Sequence, residues 1–212
     1  IRPSTYTVVA PYSQIFFFGI LDFGRSAFED FESLSAEERM SIVECNFQLM
    51  LFLDSSYRAH HIFPDDETIM CTYHTFISEE SIEQFFADCP FDIDKKGVVE
   101  MFASNIKQTF KKTKKELLRV MPTVDEFIAL FGFALWNDLS PKIAQLVERN
   151  REAIVRELSK SYTRRGMNEH APRIGELFCL LANEEKAHDI TAEHVQIYRM
   201  MNLFNEGYED GR

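Results

Sequence analysis

Between residues 42 and 53 the chain has almost no polar face. Ile42, Val43, Phe47, Leu49, Met50, Leu51, Phe52 and Leu53 leave Gln48 as the lone polar position of the stretch 47–53. A helix that is apolar all round belongs between other layers. Ser35 and Glu38 open it as an S-x-x-E capping box, so it is expected from about Ala36 to Tyr57. Before it, Phe17, Ile20, Leu21, Phe28 and Phe31 recur at helical spacing from Ser13 to about Leu34. Residues 1–12, with Pro3 and Pro11 and little periodicity, read as an ordered arm or loop. After it, His60, His61, Pro64, Asp65 and Asp66 break the pattern over 58–66. Thr68 to Ile77, β-branched and aromatic without a Gly or Asn turn, reads as a short strand or hairpin.

The second half alternates helices and stops. Ile82, Phe85 and Phe86 mark a short helix after Ser78. A long one is expected from about Lys95 to Val120 through Val98, Val99, Phe102, Ile106, Phe110 and Leu117, ended by Pro122. Thr123 and Glu126 form a second capping box, opening the stretch Phe127 to Trp136, again too apolar for a surface. Ser140-Pro141 pairs an N-cap with proline at the first helical position. It opens an amphipathic helix through Ile143, Leu146, Val147, Ile154 and Leu158, closed by Arg164, Arg165 and Gly166. Pro172 starts another, with Ile174, Leu177, Phe178 and Leu181 on its apolar stripe. A last one follows Thr191 through Val195, Tyr198, Met201 and Phe204. The sum is one nearly all-helical domain with two buried helices.

Composition narrows the function classes. With 212 residues, 45% hydrophobic, and 20 phenylalanines the chain can bury a large core, and 8 Gly with 7 Pro argue against an all-β fold. A net charge of −11 argues against phosphate-backbone contacts by this segment. Cys45, Cys71, Cys89 and Cys179 lack CxxC spacing and read as reduced core thiols. The strongest apolar run, Ile15 to Leu21, is far short of the ~20 residues that span a bilayer, and it is no signal peptide. The start at Ile1 rather than Met suggests an excised domain. His60, His61, His74, Asp65 and Asp66 cluster without the i, i+4 spacing of a helical zinc site, so no metal is expected. Lys111, Lys112, Lys114 and Lys115 read as a solvated face near a helix C-terminus. No phosphate loop, nucleophile elbow or HExxH is present, which gives no enzyme reading and no cofactor.

Two blocks carry a resemblance. Phe31, Leu34, Glu38-Arg39 and Ile42-Val43 follow the order F-x-x-L, an acid–amide pair and two aliphatics, with Arg39 in place of the usual glutamine. Glu126, Leu130, Trp136-Asn137, Leu139-Ser140, a long helix and Arg173 form the second. Over about residues 10–206 the chain resembles the ligand-binding domain of nuclear receptors, most closely the branch expanded in nematodes.

That resemblance implies an all-α, three-layer antiparallel helical sandwich with a small β-turn or hairpin after the central helix. It also implies a regulatory role in the nucleus, with the zinc-finger DNA-binding module outside this chain. By matched position, a lipophilic ligand would meet Gln14, Phe17, Phe18, Leu51, Phe52 and Ser55, its polar end anchored by Arg58. The competing role for Arg58 is an ion pair with Asp54. The coregulator groove falls on Arg25, Ser26 and Glu44, a structural salt bridge on Glu126 and Arg173, and a homo- or heterodimer face on Leu177 and Leu181. Glu126 could instead only complete its capping box. The many phenylalanines leave open a ligand-independent domain with a filled interior, working through dimerisation.

Overall fold

The chain begins with a two-residue strand, β1 (Arg2–Pro3), and enters a helix at once, α1 (Tyr6–Ala27). The computed structural model describes residues 1–64, 68–90, 94–105, 109, 111–137 and 141–200, with backbone only at Ala10, Asn105, Thr191 and 193–200. There follow α2 (Glu29–Ser33), α3 (Ala36–Ile62), β2 (Ile69–Met70), β3 (Thr75–Ile77), a 3₁₀ turn (Glu79–Ser81), α4 (Ile82–Ala87), α5 (Lys95–Asn105) and α6 (Lys111–Val120). The described chain closes with α7 (Val124–Leu135), α8 (Ala144–Arg164) and α9 (Ala171–Met200). The class is all-α.

Two compact units share the chain. The first comprises Ile1–Ser13, Ser55–Leu118 and Glu185–Arg212; the second comprises Gln14–Asp54 and Arg119–Glu184.

In the first unit the residues expected to form an arm begin α1 instead. The reason lies far along the chain: Asp88 accepts from the Tyr6 amide at 2.9 Å and from the Thr7 hydroxyl, capping the helix from 82 positions away. The small sheet has the order β1-β3-β2, with β1 parallel and β2 antiparallel to β3 (Arg2 beside Thr75, Ile69 beside Ile77). Its turn needs no Gly or Asn because the Thr72 hydroxyl accepts from the amides of His74 (3.2 Å) and Thr75 (3.1 Å). Beneath it, Ile77, Ile82, Phe85, Phe86, Val98 and Met101 form a buried cluster. The expected break over 58–66 starts later, since α3 runs to Ile62. The buried Lys114 donates to the carbonyl of Phe63 just past that end, so one member of the lysine run is not solvated. Burial lowers the pKa of His60, and electrostatic interactions with His61 and Lys114 lower it further. Of the helix expected over 95–120 the described residues show α5 and α6, with Thr109 π-helical between them; Ile106 and Phe110 lie outside the described residues, as do Asp65 and Asp66.

In the second unit α1 ends at Ala27, not Leu34, because Phe28 is extended (φ −134°, ψ 111°). This turn lets the fully buried Phe31 ring lie on Gly24, where a Cβ would stand 2.7 Å from the ring. The Ser35–Glu38 capping box is present, the Ser35 amide donating to Glu38 at 2.9 Å and the Glu38 amide to Ser35 Oγ at 3.2 Å. Arg39, at the position of the usual glutamine, donates to the Glu32 carbonyl at the end of α2 (3.2 Å). Of residues 42–53 only Glu44, Cys45 and Gln48 are exposed. Asn46 ties α3 to the end of α7 by donating to the Leu135 carbonyl at 3.1 Å. Within α7, Leu130 and Phe133 to Leu135 are buried, as is Trp136 just past its end, but Val124 and Ile128 are exposed, so only its later half is enclosed. Phenyl rings fill the interior: Phe16 lies 6.0 Å from Phe47 and 6.2 Å from Phe131, and Phe28 and Phe31 flank Trp136 at 5.5 and 6.0 Å.

The start of α8 departs from expectation. It begins at Ala144 after Ile143, without a side-chain cap, so Pro141 is not its first residue; Leu139 and Ser140 lie outside the described residues. Its end is a Schellman motif: Gly166 (φ 79°) donates to Thr163 and Met167 donates to Tyr162. The two helices expected after Pro172 and Thr191 are one continuous α9. The side chains of Val195 and Tyr198, and the whole of Met201, Phe204 and the tail, lie outside the described residues. By length and composition α1 would suffice to cross a membrane. Tyr12, Phe16, Ile20 and Leu21 form a buried stripe along it, while Ile15 and Phe18 are exposed.

Candidate ligand and regulatory site

Arg58 sits one turn from the end of α3, where the small sheet of the first unit comes up beside the helix. Its guanidinium donates to the Thr72 carbonyl at 2.6 Å and to the Tyr12 hydroxyl at 3.3 Å. The Tyr73 ring covers it at 5.1 Å, and Tyr12 meets Tyr73 edge-on at 5.4 Å. Ser55, also expected at the site, is buried and donates to the Met70 carbonyl at 2.5 Å. Helix and sheet thus hold a half-buried cation among two phenol rings and a carbonyl, an environment that strengthens any charge-assisted bond to it. Burial pushes the neighbouring Cys71 thiol up to about 12, so it is no nucleophile. Tyr12, Thr72 and Tyr73 were not anticipated from sequence. Tyr73 lay in a segment already marked as aromatic, but nothing local linked it to Arg58.

The remaining ligand candidates fall in the second unit. Gln14 is exposed and Phe18 is 62% exposed, so neither lines an enclosed space there. Phe17 and Leu51 are half-buried and Phe52 is buried; Phe17 packs 5.8 Å from Phe47. At the proposed coregulator position Arg25 is compensated by Asp22 (3.4 Å) and Glu32 (3.6 Å), while Ser26 bonds back to the Asp22 carbonyl at 2.7 Å. Glu44 is exposed.

A denser network joins four segments of the second unit. Glu126, almost wholly buried, accepts from Arg173 Nε and Nη2 (both 2.8 Å), the Tyr162 hydroxyl (2.6 Å) and the Thr123 amide (2.8 Å). The capping box and the ion pair therefore coexist on one carboxylate, which has about four lone-pair sites. Arg173 also donates to the carbonyls of Val120 (2.8 Å) and Met121 (3.3 Å) and to Glu176 (3.0 Å). Burial alone would raise the Glu126 pKa, but the donors from Arg173, Tyr162 and Thr123 outweigh it and hold the group at about 2. Burial and the bond to Glu126 raise Tyr162 above the usual phenol value.

Leu177 and Leu181 are corrected by the structure. They are 1% and 3% exposed within their own chain, so they are core residues and not a surface for a second subunit. An amphipathic stripe does not say which neighbour covers it, and here the chain itself does.

Comparison with known proteins agrees with this architecture. The family model for the ligand-binding domain of nuclear hormone receptor matches residues 14–201. Nuclear hormone receptor family member nhr-53 of Caenorhabditis elegans is 21% identical over 194 residues, covering 87% of this chain and 52% of that protein. The chain thus spans about half the length of this relative. Two capping boxes, the buried stretches of α3 and α7, strands β2 and β3 beside α3 and the Glu126–Arg173 network fall within the matched region, and the chain belongs to the ligand-binding domain family of nuclear hormone receptors.

Proposed function

We propose that this domain is the small-molecule-responsive, non-enzymatic regulatory part of a nuclear transcription factor whose DNA-binding module lies elsewhere in the full protein. The observation that carries the ligand reading is Arg58, a guanidinium half-buried between Thr72, Tyr12 and Tyr73. A carboxylate or hydroxyl at the end of a lipophilic molecule would displace the long 3.3 Å bond to Tyr12 and keep the short one to Thr72. Five fixed donors suit this exchange, since the sheet contact and the ligand use different edges of one plane. Coregulator recognition is assigned to Arg25, Ser26 and Glu44. There a partner's acidic group would compete with Asp22 and Glu32 for Arg25.

Native mass spectrometry of the purified domain tests the reading. The expected result is a co-purified lipid adduct, or one that forms with a long-chain carboxylic acid. Arg58→Ala should weaken it by roughly 10- to 150-fold, the worth of one charge-assisted bond. Arg58→Lys should recover only part. A second reading has its own support: rings of Phe16, Phe17, Phe47, Phe127 and Phe131 occupy the interior of the second unit. Absence of any adduct, with no melting shift from carboxylated or hydroxylated lipids, would establish that ligand-independent form.

A further inference from the structure

The end of α8 is a basic stretch in an acidic chain. From Leu158 to Asn168 there are three cations, Lys160, Arg164 and Arg165, and no acid, although acids outnumber bases 34 to 23 over the whole sequence. Thr163 stands among them, with Lys160 three residues before it and the two arginines directly after. It opens a run of exposed residues, Thr163 to Glu169, that leads from the last turn of the helix toward α9. Among the described residues its hydroxyl meets only the Ser159 carbonyl of its own helix, at 2.9 Å. The neighbouring hydroxyls are less free. Tyr162 is buried against Glu126, Ser161 is half-buried and reaches Asp125 at 3.5 Å, and Ser159 is half-buried. Lys160 pairs with Glu157 at 2.6 Å on the open surface, a contact weak enough for another acid to take over.

We propose that Thr163 is a phosphorylation site for a protein kinase with an acidic substrate cleft, and that the phosphate unfastens the end of α8 from the Glu126–Arg173 network. Kinases select substrates by charge pattern, and cations on both sides of an exposed hydroxyl match such a cleft. In the transfer the bond from Thr163 Oγ1 to the γ-phosphorus of ATP forms as the bond from that phosphorus to the β–γ bridging oxygen breaks. ADP leaves, and the hydroxyl proton goes to the kinase's catalytic carboxylate.

The place of the phosphate decides its effect. A helix ends in negative carbonyl dipoles, and phosphothreonine adds about −1.5 to −2 charges beside them. The Thr163 carbonyl accepts from Gly166 at 3.0 Å and the Tyr162 carbonyl from Met167 at 2.9 Å, so the same turn carries the Schellman closure. The phosphate also competes for Arg165, which donates to Asp125 in the first turn of α7. With the last turn repelled and Arg165 drawn away, Tyr162, one residue before the phosphate, loses its hold on Glu126. One local opening serves both steps: the last turn must unwind for a cleft to take residues 160–165, and the phosphate keeps it from closing. The site needs neither ligand nor coregulator, so it stands or falls apart from the Arg58 reading.

Incubation of the purified domain with MgATP and the catalytic fragment of protein kinase C, which selects basic residues around its acceptor, tests this. Fragmentation mass spectrometry should place a single phosphate on Thr163. Thr163→Ser should keep it, Thr163→Ala should abolish it, and the pair Arg164→Gln with Arg165→Gln should slow its addition at least about tenfold. In the phosphorylated protein the amides of Gly166 and Met167 should exchange at least about tenfold faster, and melting should fall by roughly 3–6 °C. In Tyr162→Phe, which already lacks the bond to Glu126, the same phosphate should lower melting by less than about half as much. Phosphate on Ser159 or Ser161 in place of Thr163, no phosphate at all, unchanged exchange at Gly166 and Met167, or an equal melting loss in Tyr162→Phe would each overturn the proposal.

Discussion

Replacing Glu126 with Gln keeps the shape of the side chain and removes the charge that four donors converge on. Its ordinary pKa of 4.5 is held at about 2 in the folded chain, a difference of about 2.5 units. At ~1.36 kcal/mol per unit, ionisation of this one group contributes about 3 kcal/mol to folding. Its side chain is only 3% exposed, so solvent screening takes little from that figure. The folded pKa is depressed, so the contribution is complete above about pH 4.5 and is lost as pH falls toward 2. In Glu126→Gln the Arg173 guanidinium loses its buried carboxylate and keeps only the half-exposed Glu176 and two backbone carbonyls. Removing one partner of a buried pair costs about 3–5 kcal/mol, and the 21% exposure of Arg173 places the cost at the lower end. Melting should fall by roughly 6–12 °C, at 2–4 °C per kcal/mol for a chain of this size.

Trp136, the single tryptophan, is fully buried in the same unit as the network. Its fluorescence in urea titrations reports the right region. The gap between wild type and variant should be largest at neutral pH and close as pH drops through the interval from 4.5 to 2. A variant within about 0.5 kcal/mol of wild type at neutral pH, the range of an ordinary surface change, would refute the reasoning. So would a parallel pH slope, or near-zero coupling in a double-mutant cycle with Arg173→Met.

Met121 adopts a left-handed backbone (φ 46°) and is 68% exposed. Met121→Gly should gain roughly 0.5–1 kcal/mol in chemical denaturation, the relief of strain less the entropy of glycine. Asp88→Ala should fray the start of α1, seen as faster hydrogen exchange at the amides of Tyr6 and Thr7 while α7 stays protected. Leu181→Glu should unfold the second unit at every protein concentration, because a 3% exposed site offers the charge no partner. A folded variant that had merely changed its oligomeric state would return Leu181 to the surface.

Local chemistry wrote much of this protein into its sequence. The Ser35–Glu38 and Thr123–Glu126 boxes, the glycine at 166 and the apolar runs at 42–53 and 127–136 all act within a few residues. Each could be read before any folding partner was known. The family resemblance followed from their order and was sufficient for the fold class. Other features depended on residues distant in sequence. α1 starts at Tyr6 only because Asp88 supplies its cap; α3 continues past His60 to Ile62, with Lys114 meeting the Phe63 carbonyl just beyond its end. The turn before β3 forms because the Thr72 hydroxyl replaces the missing glycine, and Arg58 is surrounded by Tyr12, Thr72 and Tyr73 from two other segments. Periodicity showed that Leu177 and Leu181 share a stripe, but a stripe is equally stable against its own chain or another. Only the packed structure, where the chain itself covers them, decided between the two.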